Sequence, residues 1–135
     1  MREVVAAVIV SPQHVLLGLR SPERRLYPNV WDIFGGHVEP GESNEQALLR
    51  ELDEELGIVA TEWRYLSTFD EPQVERYGEA RYHFYLVTAW RGEPHNRQPH
   101  EHSEIAWFSF AEAQHLSLAD PRYVELFDQI ASKGV

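Results

Sequence analysis

Between Phe34 and Ile58 the chain reads FGGHVEPGESNEQALLRELDEELGI, in which seven carboxylates accompany a single arginine, Arg50. Glu51, Glu54 and Glu55 stand at i, i+3 and i+4, so a helix would project all three from one arc. Like charges at those spacings repel by roughly 0.2–0.5 kcal/mol a pair, and no lysine is interleaved to relieve them. One reading of such a run is a solvated acidic surface. The other is a seat for a hard cation. Mg²⁺ or Mn²⁺ takes oxygen ligands and shares them among one or two carboxylates, water and substrate phosphates. Gly35 and Gly36, just upstream, let backbone approach the same place and offer a carbonyl oxygen.

The full spacing is Gly36, five residues, Glu42, seven residues, then Arg50-Glu51-Leu52-Asp53-Glu54-Glu55-Leu56-Gly57-Ile58. Over residues 36–58 this resembles the Nudix box at every defined position. The resemblance implies an α+β fold, an α/β/α sandwich whose mixed β-sheet is packed between helices, with a loop–helix–loop metal site. It implies hydrolysis of a nucleoside diphosphate linked to some other moiety. Glu51, Glu54 and Glu55 would be the catalytic carboxylates, holding Mg²⁺ or Mn²⁺ with the carbonyl of Gly36. Arg50 would fix carboxylate rotamers by pairing with Glu42 or Glu54, while Gly41 would serve the turn and Gly57 the helix stop. A further glutamate outside the box often ligates metal or acts as base in such enzymes, and Glu101 and Glu104 are the candidates. Glu101 lies six residues before Trp107, the spacing of MutT-type members, and is favoured. The general base is then one of Glu51, Glu101 and Glu104.

The substrate implied is a small nucleotide. GLRSPERR, YPNVWDIFGGHVEPGES and the compact length resemble MutT-type (d)NTP pyrophosphohydrolases, which release a monophosphate and pyrophosphate from a triphosphate, oxidised or otherwise modified in some cases. Phe34 stands where those enzymes commonly carry proline before the two glycines. Pro72, downstream of the box, keeps open hydrolysis of ADP-ribose, a nucleotide sugar or a dinucleoside polyphosphate. A non-catalytic, nucleotide-sensing module is the remaining alternative, against which the intact box glutamates stand. Arg20, Arg24 and Arg25 are candidates to meet phosphates. Tyr77, Tyr82 and Phe84 are candidates to stack a nucleobase. Asp120 is a candidate to read its edge, although an N-cap role explains it equally.

The elements that must position these residues follow from the pattern. Val4–Val10 and His14–Arg20 are apolar, β-branched runs joined by a turn at Ser11-Pro12-Gln13. Trp31–Phe34 is a short aromatic strand that Gly35-Gly36 should stop, and Pro40-Gly41 marks a turn. Ser43 to Leu56 is the clearest helix: Ser43 with Gln46 makes a capping box, and Gly57 sits where a left-handed residue is wanted. Leu48, Leu49, Leu52 and Leu56 form its core stripe. Thr61–Phe69 and Ala80–Trp90 read as strands around a polar link, Asp70–Glu79, and Glu104–Phe110 as a last strand after the loop Arg91–Ser103. Ser109 and Glu112 make a second capping box, and Asp120-Pro121 should cap and open a C-terminal helix to about Ser132.

Bulk properties narrow the classes. A chain of 135 residues, 43% hydrophobic, is read as a single domain spanning residues 1–135 with a genuine core. It has no cysteine, which excludes disulfides, thiolate zinc sites and cysteine nucleophiles. The net charge of −10 opposes binding to a nucleic acid polymer and admits phosphorylated small molecules only with cations between. No segment approaches the roughly 20 apolar residues that cross a bilayer. The expectation is a cytoplasmic protein, monomer or homodimer, with no membrane contact.

Overall fold

The structure is a computed structural model that describes residues 1–133. Its strands are β1 (Arg2–Ser11), β2 (His14–Arg20), β3 (Trp31–Asp32), β4 (Phe34–His37), β5 (Val59–Asp70), β6 (Ala80–Arg91) and β7 (His102–Ser109). Its helices are α1 (Asn44–Leu56), α2 (Val74–Tyr77), α3 (Phe110–Ala113) and α4 (Tyr123–Ser132). The strands form one mixed sheet of order β3-β2-β1-β6-β5, with β4 paired to β1 and β7 to β2.

β1 runs through the centre, and its sequence VVAAVIV reads as a strand buried on both faces. Val5, Ala7 and Ile9 pack with Leu48, Leu52 and Leu56 of α1. Ala6, Val8 and Val10 pack on the opposite face with Leu126, Phe127 and Ile130 of α4. The sheet therefore lies between two helical layers, the sandwich expected for an α+β chain. Of the four leucines expected to face the core from α1, three are fully buried and Leu49 is partly so. No helix among the described residues is long and apolar enough to cross a membrane.

Several boundaries differ from expectation. Gly35 and Gly36 do not stop a strand; they lie inside β4, opposite Ala6 and Val5 of β1. The strands approach so closely that a Cβ on Gly35, which has φ +154°, would lie 1.9 Å from the Val5 carbonyl oxygen. The 70–79 link contains the one-turn helix α2. The C-terminal helix begins at Tyr123 rather than Pro121, with Arg122 at the N-cap making no side-chain capping bond. Asp120 instead accepts from the Arg122 N–H at 2.9 Å, two residues on, so its carboxylate closes the turn before the helix. The last strand starts two residues earlier than expected, at His102, because it pairs with β2 along Arg20 to His14.

Candidate active site

α1 is fixed at both ends before it presents any chemistry. The Ser43 hydroxyl accepts from the Gln46 N–H at 3.1 Å, and the Gln46 side chain accepts from the Ser43 N–H at 2.8 Å. Gly57, at φ 69°, ends the helix in the left-handed conformation. The loop before β7 closes over that end: the backbone N–H groups of His95 and Arg97 donate to the Leu56 and Glu55 carbonyls, and the Arg97 guanidinium to Asp53 O. Carbonyls that a helix leaves unpaired are satisfied in this way. The loop that follows carries Glu101 into the same cleft that the α1 glutamates line.

Three glutamates of α1 sit differently although they share an arc. Glu54 is exposed, Glu51 is half-buried and Glu55 is buried. Burial pushes the Glu55 carboxyl well above the usual carboxylate range, and repulsion from Glu51 and Glu101 adds to it. Against this, Glu55 Oε2 accepts from the Gly35 N–H at 2.9 Å. Glu51 is also raised by burial, with Arg50 opposing and Glu54 and Glu101 adding. A Cβ on Gly36 would lie 2.4 Å from the Glu51 carboxyl carbon, so the space beside that carboxylate exists because residue 36 has no side chain.

Arg50 is the hub of the cluster. Its guanidinium grips both oxygens of Glu42, at 2.7 and 2.9 Å, and reaches Glu51 at 2.8 Å, Glu54 at 3.2 Å and the His37 carbonyl at 2.9 Å. That fork geometry holds the Glu42 carboxyl down at about 2. Both pairings expected for Arg50 are therefore made at once.

These groups border a cleft of about 390 Å³. Gly36, Glu51, Glu54, Glu55 and Glu101 all line it, whereas Glu104 is exposed on β7 and does not. Arg24 lines it 3.9 Å from Glu101, its pKa lowered by burial and then by Arg20. Arg20 also borders the cleft, but its guanidinium is occupied by the carbonyls of Leu26 and Tyr27 and by Asp32 at 3.3 Å. Arg25 is exposed outside it. Tyr82 and Asp120 line the cleft, Asp120 in an ion pair with Arg122 at 2.8 Å. Phe84 borders it from the core, and Tyr77 packs behind Tyr27 rather than in the lining.

Sequence reasoning passed over four lining residues. Asp32 accepts from the Tyr123 hydroxyl at 2.8 Å, and burial raises its pKa although Arg20 opposes. A carboxylate between Trp31 and Ile33 in a strand was the signal available for it. Glu71 is 3% exposed, and nothing in the polar run around it marks it. His102 is buried against Phe34, its Nδ1 without a partner, and burial brings its imidazole down to about 4. Tyr123 is hidden in the apolar stripe of α4.

The arrangement is an oxygen-rich pocket in which the buried Glu55 and the half-buried Glu51 and Glu101 repel one another beside the Gly35–Gly36 backbone. Among the described residues no three His, Asp or Glu side chains form a ready-made metal cage, since Arg50 draws Glu51 and Glu54 toward itself. The donor set is that of a hard divalent ion, which takes few protein ligands and completes its shell from water and phosphate.

A sequence profile described as the NUDIX domain matches residues 1–130. The CTP pyrophosphohydrolase of Escherichia coli (strain K12) is 40% identical over 119 residues, which cover 88% of this chain and 84% of that protein. The 8-oxo-dGTP diphosphatase of Proteus vulgaris is 34% identical over 90 residues, 67% of this chain and 79% of its own length. The crystal structure of the MutT NUDIX hydrolase from Burkholderia pseudomallei superposes with a TM-score of 0.78 at 31% identity, covering 82% of this chain and 84% of the other.

Proposed function

The chain belongs to the NUDIX domain family, and from that premise we propose that it hydrolyses a nucleoside triphosphate to the monophosphate and pyrophosphate. The observation that carries the reading is the gathering of Glu51, Glu55 and Glu101 in one cleft against the Gly35–Gly36 backbone. Glu51, Glu54, Glu55 and Glu101, with the carbonyl of Gly36, would hold Mg²⁺ or Mn²⁺. Such an ion neutralises phosphate charge and polarises the phosphoryl oxygen when bound. The rest falls to the chain. Arg50 keeps the box carboxylates in fixed rotamers through its contacts to Glu42, Glu51 and Glu54. The Gly35 N–H orients Glu55. Arg24 stands beside Glu101 where triphosphate charge would enter. A water attacks phosphorus, its proton passes to Glu51 or Glu101, and the P–O bond to the leaving pyrophosphate or nucleotide breaks.

The two named relatives act on a cytosine and an oxidised-guanine nucleotide respectively, so CTP and 8-oxo-dGTP head the substrate panel. The test is a screen of (d)NTPs, oxidised nucleotides, ADP-ribose, nucleotide sugars and dinucleoside polyphosphates with Mg²⁺ and Mn²⁺, scored by product identity. Monophosphate and pyrophosphate from a triphosphate are expected. Turnover confined to the diphosphate-linked compounds would replace the triphosphate reading, and no turnover of any would favour a nucleotide sensor.

A further inference from the structure

The same cleft holds a buried carboxylate that the hydrolytic centre does not use. Glu71, 3% exposed, lies between β5 and α2 with both oxygens occupied. Oε1 accepts from the Tyr82 hydroxyl at 2.6 Å, and Oε2 from the Tyr27 hydroxyl at 2.5 Å and the Gln73 N–H at 3.0 Å. The Gln73 amide donates in turn to the Tyr27 oxygen at 3.2 Å, and the Tyr27 and Tyr77 rings lie 4.3 Å apart. Burial, and then the bond to Glu71, raises the pKa of both cleft tyrosines, which keeps them hydroxyl donors. Tyr27 takes φ +49°, a left-handed conformation unusual for an aromatic residue. It is held there from two sides, by Glu71 at its hydroxyl and by Arg20 at its carbonyl.

One carboxylate thus ties together the loop after β2, the link after β5, and β6. The cleft has a direction. Gly36, against the Glu51 carboxylate, pairs with Val5 of β1 from the β4 side, whereas Tyr82 pairs with the adjacent Val4 from the β6 side and is bonded there to Glu71 and through it to Tyr27. The acidic cluster is therefore one end and the tyrosine pair the other. A nucleotide whose phosphates occupy the acidic end must lay its planar base toward the tyrosines, and aromatic faces are what such a base packs against.

We propose that Glu71 is a positioning residue for the nucleoside end of the substrate, holding Tyr27 and Tyr82 as the walls against which the base packs. The proposal rests on the reading above only in taking the acidic cluster as the phosphate end.

Calorimetric titration of the full chain in Mg²⁺ compares two probes, the α,β-methylene analogue of CTP and inorganic tripolyphosphate, which lacks a base. The wild type should bind the analogue more tightly. Glu71→Ala should lose about tenfold of that preference while its tripolyphosphate affinity stays the same. Tyr27→Phe, which keeps the ring and removes one hydroxyl, should lose a smaller part, and Glu71→Gln, with one acceptor left, should fall between. A Glu71→Ala protein that keeps the wild-type preference overturns the proposal, as does equal weakening toward both probes or a wild type indifferent to the base. If Glu71→Ala does not fold, Tyr27→Phe decides by the same criteria. Cleavage of unmodified CTP is scored apart. A preference lost in the variant without wild-type cleavage upholds the clamp and removes the hydrolase reading; cleavage without any preference does the reverse.

Discussion

Arg50 makes one guanidinium serve three carboxylates and a backbone carbonyl, and the acidic residues around it consequently take separate roles. Glu42 is spent on Arg50, while Glu55 is buried in the cleft wall, where its carboxyl accepts from the Gly35 N–H. On the proposed site, Glu54→Gln and Glu55→Gln should each slow pyrophosphate release by about 10²-fold or more without unfolding the chain, since each removes an anionic ligand. Near-normal rates for both at low Mg²⁺ would refute the assignment. Gly36→Ala should displace the Glu51 carboxylate and cost about 10²-fold in rate, comparable to a misplacement of about 1 Å in a catalytic group. The Glu42–Arg50 pair predicts a pH dependence of stability. Its carboxyl, at about 2 when folded, lies below the ordinary 4.5, so the pair stabilises above pH 4.5 and is lost as pH falls toward 2. Urea midpoints between pH 5 and 2 should fall more steeply for the wild type than for Glu42→Gln, and parallel curves would show that the pair carries no such linkage.

At the scale of elements, α1 was legible because its signals are local: a capping box, a left-handed glycine and a leucine stripe each act within a few residues. Leu52→Ala tests that stripe; as a truncation at a fully buried site it should cost about 2–5 kcal/mol in chemical unfolding. An unmoved midpoint would mean that the helix does not pack on Val5, Ala7 and Ile9 as described. The glycine pair was misjudged for the opposite reason. Whether Gly35-Gly36 ends a strand or lets it lie close to another depends on β1, thirty residues away in sequence. Glu71 was illegible on the same ground, since its partners Tyr27 and Tyr82 come from two other segments. Arg20 read as a free phosphate contact because nothing in the sequence shows that its own loop folds back onto its guanidinium. Within a helix of fixed period the sequence sufficed, and where a side chain is completed by a loop or by another strand it did not.

At the scale of the whole molecule, the cleft stores repulsion that a cation would relieve. Mg²⁺ or Mn²⁺ should raise the unfolding temperature, with about 2.7 kcal/mol of added stability at a hundred times the dissociation constant. Glu55→Gln should abolish that rise and, in a chelator, unfold at a higher temperature than the wild type, because it removes a carboxyl whose ionisation burial and the neighbouring Glu51 and Glu101 oppose. A wild type insensitive to either ion would contradict the proposed site. The sheet has a consequence of another kind. β1 lies parallel to β6, with Arg2 to Ile9 against Ala80 to Val87, so the first strand of this sheet takes as neighbour one that follows it by more than seventy residues. Synthesis at roughly 5–20 residues per second leaves VVAAVIV on the nascent chain for several seconds with that edge open. An apolar edge of this type is a template for pairing with other chains. The β1 edge is therefore exposed on the growing polypeptide and is closed only when β6 docks.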